Sequence, residues 1–214
     1  HLVVRDIADG ASLAEIVETM TALADVTTLF ALDHLHQDLA IRYGNPIGSD
    51  GEAQHLAIIG MGKLGGRELN VSSDVDYIFV YPEEGETGGR EDGTGKIDNY
   101  DFFTRLGKRL IASLNDLTED GQVFRVDMRL RPNGDSGPLV CSSDMLENYF
   151  ITQGREWERY AWIKARVMNE ADSACAPTMT TGIARPFIYR KYLDFGAINA
   201  MRALHAQIRQ EVTR

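Results

Sequence analysis

Residues 60–79 read GMGKLGGRELNVSSDVDYIF, and the fold turns on how that stretch is understood. The apolar run Leu56-Ala57-Ile58-Ile59 just before it reads as a buried strand that feeds directly into the glycines. Gly60-x-Gly62-x-x-Gly65 after a strand matches the dinucleotide fingerprint. Length excludes that reading. Only Arg67 to Ser73 separates the glycines from the next strand, whereas a parallel crossover needs roughly a dozen residues and a helix. The acid of a dinucleotide site also stands at the end of the second strand, and here Asp74 and Asp76 stand at its beginning. A P-loop is excluded as well, because Lys63 is followed by Leu64 rather than Ser or Thr. What remains is a glycine-lined turn whose backbone amides can approach a phosphate.

The strand after the turn begins Ser72-Ser73-Asp74-Val75-Asp76 and continues apolar to Tyr81. Alternation puts Asp74 and Asp76 on one face, about 6 to 7 Å apart along the strand. Two carboxylates so placed repel unless a cation sits between them, and Mg²⁺ binds through one or two carboxylates plus phosphate oxygens. The plainer reading makes Asp74 a turn cap and Asp76 a solvated strand end. The run Tyr77-Ile78-Phe79-Val80-Tyr81 is too apolar for a solvated edge.

A third strand is expected over about Gln122 to Arg131, closed by a turn at Pro132-Asn133-Gly134. Its alternation assigns Phe124, Val126, Met128 and Leu130 to the core. The other face carries Val123, Arg125, Asp127, Arg129 and Arg131. One carboxylate among arginines suits a metal and a polyanion together, with Asp127 completing a three-carboxylate site. Cross-strand ion pairs on a surface strand are the alternative. Arg155, Arg159, Trp162 and Arg166, with Lys164 nearby, would share a face of a helix over Arg155 to Met168, either as a wall for phosphate or adenosine or as a solvated face.

Elsewhere, Ser12 to Tyr43 has apolar residues at helical spacing, with a capping box from Ser12 and Glu15. His34 and His36 fall on different faces of that helix, which is wrong for a shared metal. Glu83 to Lys96 is expected as a mobile surface loop, Tyr100 to Leu114 as an amphipathic helix, and the chain from Ser143 onward, including Tyr189 to Val212, as mainly helical. The fold class is therefore α+β: a small mixed sheet packed with helices, preceded by a helical segment and followed by a helical extension. The expected divisions are 1–50, 51–142 and 143–214.

The net charge of -10 and pI near 4.9 repel phosphate backbones and anionic lipids, so neither nucleic acid nor membrane is an expected partner. Cys141 and Cys175 fit no zinc spacing and read as buried or free thiols of a reducing compartment. With no membrane-length apolar run and no signal pattern, the chain is expected to be cytoplasmic. His1 at the start and Thr213-Arg214 ending what reads as a helix suggest a piece of a longer protein.

Together, Gly65-Gly66, Asp74 with Asp76, and Asp127 resemble the signature of the DNA polymerase beta-like nucleotidyltransferase superfamily. Four longer runs, Gly60 to Phe79, FFTRLGKRLI (102–111), FRVDMRLRPNGDSGPLV (124–140) and GREWERYAWIKAR (154–166), are similar to the bacterial glutamine synthetase adenylyltransferase/adenylyl-removing enzymes. The forms at Phe124 to Met128 and at Arg155 to Tyr160 resemble the N-terminal, adenylyl-removing copy of that family's two catalytic domains.

The resemblance implies phosphorolysis of AMP from a tyrosyl group of glutamine synthetase, giving ADP, under control of PII-type signalling proteins in the full-length enzyme. It further implies two Mg²⁺ ions, with Mn²⁺ as the alternative, about 3.5 to 4 Å apart on Asp74, Asp76 and Asp127. Arg129 and Arg131 become candidates for inorganic phosphate, Gly65, Gly66 and Ser73 for the nucleotide phosphate, and Arg166 for phosphate or nucleotide. Transfer of AMP from ATP to the same tyrosine, or a noncatalytic regulatory module, are the rival functions.

Overall fold

Antiparallel pairing of two strands is what leaves room for the glycine turn. In a computed structural model describing residues 2–8, 10–170, 178–189 and 195–212, β1 (Ala57–Gly60) and β2 (Val75–Tyr81) pair from Ala57↔Val80 to Gly60↔Tyr77. An antiparallel connection needs no crossover helix, so the link carries only the short α3 (Gly62–Gly65). The other edge of β2 takes two short parallel strands in succession. β3 (Val126–Asp127) meets Val75 and Asp76, and β4 (Val140–Ser142) meets Phe79 to Tyr81. β5 (Arg166–Val167) lies antiparallel on β1, completing a mixed sheet of five strands.

The long third strand expected over Gln122 to Arg131 is therefore reduced to two residues. Its backbone groups find closer partners: the Arg129 N–H donates to Asp127 Oδ1 at 2.8 Å, and Arg131 N–H to the Met128 carbonyl at 3.2 Å. The chain turns away there, through Asn133 in the left-handed region (φ 61°), and returns to β2 at Val140. Phe124 and Met128 are buried as the alternation requires, whereas Leu130 packs on the opposite face of the sheet.

Residues of alternate parity on β1 and β2 build two cores. Ile58, Tyr77, Phe79 and Tyr81 face α2 (Leu13–Tyr43) and α4 (Asn99–Asn115), which contribute Ile16, Ala24, Leu32, Leu39, Phe102, Phe103, Leu106 and Leu110. Ser12 Oγ accepts the Glu15 N–H at 3.2 Å, but the Glu15 carboxylate pairs with Arg5 instead of closing a capping box. His36 of α2 is buried and stacks on His55, ring centroids 5.0 Å apart. On the other face, Ala57, Ile59, Ile78 and Val80 meet α5 (Ser143–Thr152), α6 (Glu156–Trp162) and α7 (Arg185–Ile188). A π-helical turn, Thr178–Ala184, leads into α7, and α8 (Phe195–Val212) touches α6. Cys141 sits in this second core, where burial pushes its thiol up to about 12; Cys175 lies outside the described residues.

Two other expectations change. The segment 83–96 is tied down: Thr87 is buried and bridged to Pro46, Gly88 and Gly89 donate to the Asn45 and Tyr43 carbonyls, and Glu86 bridges Asp98. The helix expected over Arg155 to Met168 ends at Trp162, because the open edge of β1 recruits Arg166 and Val167 as a strand. There the Met168 N–H donates to the Ile58 carbonyl, and the Asn169 amide bonds both Ile58 N and Leu56 O. Similarly, residues 190–194 of the helix expected over Tyr189 to Val212 lie outside the described residues, and Tyr189 itself precedes α8.

That break scatters the expected basic face. Arg159 is fully buried, donating to the Phe187 carbonyl at 2.8 Å and to Glu156 at 2.6 and 2.7 Å. Arg159→Met keeps the side-chain bulk but leaves that carbonyl without its donor. It is expected to cost about 2 to 3 kcal/mol in urea denaturation, the range for a lost hydrogen bond to a charged group. A midpoint equal to wild type would show that the bond contributes nothing to stability.

Candidate nucleotidyl-transfer site

The three aspartates meet where β2 begins. Parallel register sets Asp76 directly beside Asp127, while Asp74 precedes β2 by one residue. Asp76 is half-buried, and its carboxyl is pushed up to about 6, first by burial and then by the negative charges of Asp127 and Asp74. A Cβ on Gly62 (φ 53°) would lie 3.0 Å from Asp76 Oδ2, so the glycine turn closes against this carboxylate.

Two arginines already hold the flanking acids. Arg125 Nε lies 2.6 Å from Asp74 Oδ1, and its guanidinium also donates to the Ser72 carbonyl. Arg129 embraces Asp127 through Nε at 2.8 Å and a terminal nitrogen at 2.5 Å, holding that carboxyl below its usual range. The ion pairs weighed as the alternative for this face are thus present, together with the carboxylate cluster. Arg131 turns elsewhere, donating to the Met128 carbonyl at 2.8 Å and lying 3.5 Å from Asp135.

Arg166 is on β5, behind the glycine turn. It is held by Asp25 at 2.8 Å and donates to the Leu64 carbonyl at 3.3 Å, bracing α3 from within. The Gly65 and Gly66 amides donate to Met61 O and Gly62 O, so both are engaged inside the turn. Ser73 Oγ donates to Asn70 Oδ1 at 2.6 Å and accepts from Lys63 Nζ at 3.3 Å. Lys63 is not among the candidates drawn from sequence; its place between Gly62 and Leu64 is the signal the sequence holds, and the missing P-loop spacing hides it.

The donor chemistry fits a hard divalent cation. Asp76 is disfavoured as an anion first by burial and then by the charges of Asp127 and Asp74, and a cation between these acids would remove that second penalty. Among the described residues no group of three acidic, His or Cys side chains is already arranged as a metal cage. Arg125 and Arg129 must therefore release Asp74 and Asp127 for those acids to become ligands.

Comparisons with known proteins show the family. Residues 1–179 match the family model described as glutamate-ammonia ligase adenylyltransferase. The chain is 64% identical, over 100% of its length, to the bifunctional glutamine synthetase adenylyltransferase/adenylyl-removing enzyme of Aromatoleum aromaticum, of which it covers 22%. Enzymes of the same description from Burkholderia pseudomallei and Nitrosomonas europaea are each 58% identical, over 98% and 100% of this chain and 23% of their own. The chain thus spans less than a quarter of the length of these curated relatives, 22% to 23%.

Proposed function

Because the chain belongs to the glutamate-ammonia ligase adenylyltransferase family, we propose that it is a catalytic domain that removes AMP from adenylylated glutamine synthetase by phosphorolysis. The observation that carries this reading is the in-register pairing of Asp76 with Asp127, which sets two carboxylates side by side next to Asp74. Divalent ions bound there would supply charge neutralisation for the attacking and leaving oxygens. The chain's own residues set where that happens: the aspartates would hold the ions, and the glycine turn keeps side chains away from the reacting phosphoryl group.

An oxygen of inorganic phosphate attacks the AMP phosphorus, the bond from phosphorus to the tyrosyl oxygen breaks, and that oxygen takes up a proton, leaving ADP and unmodified tyrosine. The direction is supported by basic residues around the aspartates, since bringing two anions together favours fixed cations. Arg125 in particular lies against Asp74.

Incubating the chain with adenylylated glutamine synthetase, Mg²⁺ and phosphate is expected to give phosphate-dependent ADP, abolished by chelator. AMP incorporation from ATP into unmodified synthetase, with no ADP from the first mixture, would reverse the assigned direction.

A further inference from the structure

The basic residues around the site differ in one respect that the sequence does not show, namely which of them is already engaged. Arg125 is paired with Asp74, Arg129 with Asp127, Arg131 with Asp135 and Met128 O, Lys164 with Glu68, Arg166 with Asp25, and Arg67 with Asp25. Among the described basic residues at the turn and the three aspartates, Lys63 alone has no carboxylate within ion-pairing distance. Its ammonium donates to Ser73 Oγ, at 3.3 Å.

We propose that Lys63 is a catalytic residue of this site, its ammonium binding an oxygen of the incoming inorganic phosphate; this rests on the phosphorolytic reading above. The position is set by the turn. Lys63 is the second residue of α3, next to Gly62, whose Cα faces the Asp76 carboxylate, and its side chain reaches across to Ser73, the residue before Asp74. The ammonium therefore spans the gap between the glycine turn and the start of β2, close enough to be among the positive charges that favour ionised Asp76.

A phosphate entering there meets three aspartates and needs a cation that is not already committed. Arg129 comes free only when a cation takes Asp127 from its two-pronged contact, whereas Lys63 gives up only a long bond to a hydroxyl, with or without that cation. A lysine ammonium also suits an anion that must arrive and leave, being a compact charge on a flexible stem.

The test is steady-state phosphorolysis with phosphate varied, on wild type, Lys63→Met and Lys63→Arg. Lys63→Met is expected to raise the KM for phosphate about tenfold or more, with Lys63→Arg recovering most of the loss and thermal midpoints unchanged. A phosphate KM for Lys63→Met within about twofold of wild type would overturn the assignment. Binding is read separately by acetylating the metal-loaded protein with and without inorganic phosphate and quantifying Lys63 by mass spectrometry. Protection by phosphate supports the assignment even if the wild type releases no ADP, a result that would sink the proposed reaction instead. Equal labelling with and without phosphate overturns the role of Lys63 whatever the activity.

Discussion

Asp76→Asn is expected to reduce phosphorolysis by about three orders of magnitude or more while leaving a folded protein that, without metal, is more stable than wild type at pH 7.5. The two effects have one origin. Asp76 lies half-buried beside Asp127 and close to Asp74, and its carboxyl is raised to about 6, chiefly by burial. A raised folded value means that the native state holds this proton more tightly than the unfolded chain does. The stabilisation from the neutral form is complete below the ordinary carboxylate value and is lost as pH rises through about 6.

At pH 7.5 the wild type therefore carries an ionised carboxylate where burial opposes it. Asparagine keeps the shape and removes the charge. Allowing for partial solvent screening, the gain is on the order of 1 kcal/mol, or roughly 2 to 4 °C in thermal midpoint for a chain of this size. The advantage disappears near pH 4, and Mg²⁺ reverses it by stabilising only the wild type. ADP release and thermal unfolding at the two pH values, each with chelator and with Mg²⁺, check all of this. Turnover within tenfold of wild type would remove Asp76 from the chemistry, and a lower midpoint at pH 7.5 would show that the carboxylate is structural.

The period of two along residues 74–81 was enough to place Asp74 and Asp76 at a strand start, and the short link after the glycines was enough to forbid a parallel crossover. Those two local facts already imply the antiparallel β1 and β2 pair. Asp127 could be seen as an acid among arginines, but its register opposite Asp76 is a long-range property that no local pattern records. The same limit explains the strand from Gln122 to Arg131: alternation persists in the residue types after Asp127, yet the Asp127 side chain captures the Arg129 N–H and the chain bends away. It explains the arginines too. Spacing gave Arg129 and Arg131 a common face but could not show that Asp127 and Asp135 would engage them. At residues 155–168 helical spacing was real through Trp162, and only the unpaired edge of β1, more than a hundred positions earlier in the chain, turned Arg166 into a strand residue.

Gly65→Ala is expected to cost about 3 kcal/mol or more and to abolish activity, although it adds one methyl group. The glycines of the turn look alike in sequence, and their surroundings differ. A Cβ on Gly65 would stand 2.1 Å from the Lys164 carbonyl oxygen and 2.4 Å from that of Gly60, and neither is the movable end of a side chain. Relief would require separating α3 from the end of β1 or from the segment leading into β5. Either shift displaces Gly62 from Asp76 and loosens the Arg166 bond to Leu64 O. Stability and catalysis should therefore fail together, with a lower denaturation midpoint and no detectable ADP.

Gly66→Ala separates this cause from a general intolerance of the turn. Its Cβ would meet the flexible Lys164 Cδ at 3.2 Å and Gly62 O at 3.4 Å, and its φ is -76°, so a loss below about 1 kcal/mol is expected. Equal damage from both substitutions would mean that the glycines serve close approach of a ligand backbone or phosphate. Damage confined to Gly65 means that the first of the pair is fixed by how closely β5 and β1 press on α3, and that close packing behind the turn is what holds the three aspartates in register.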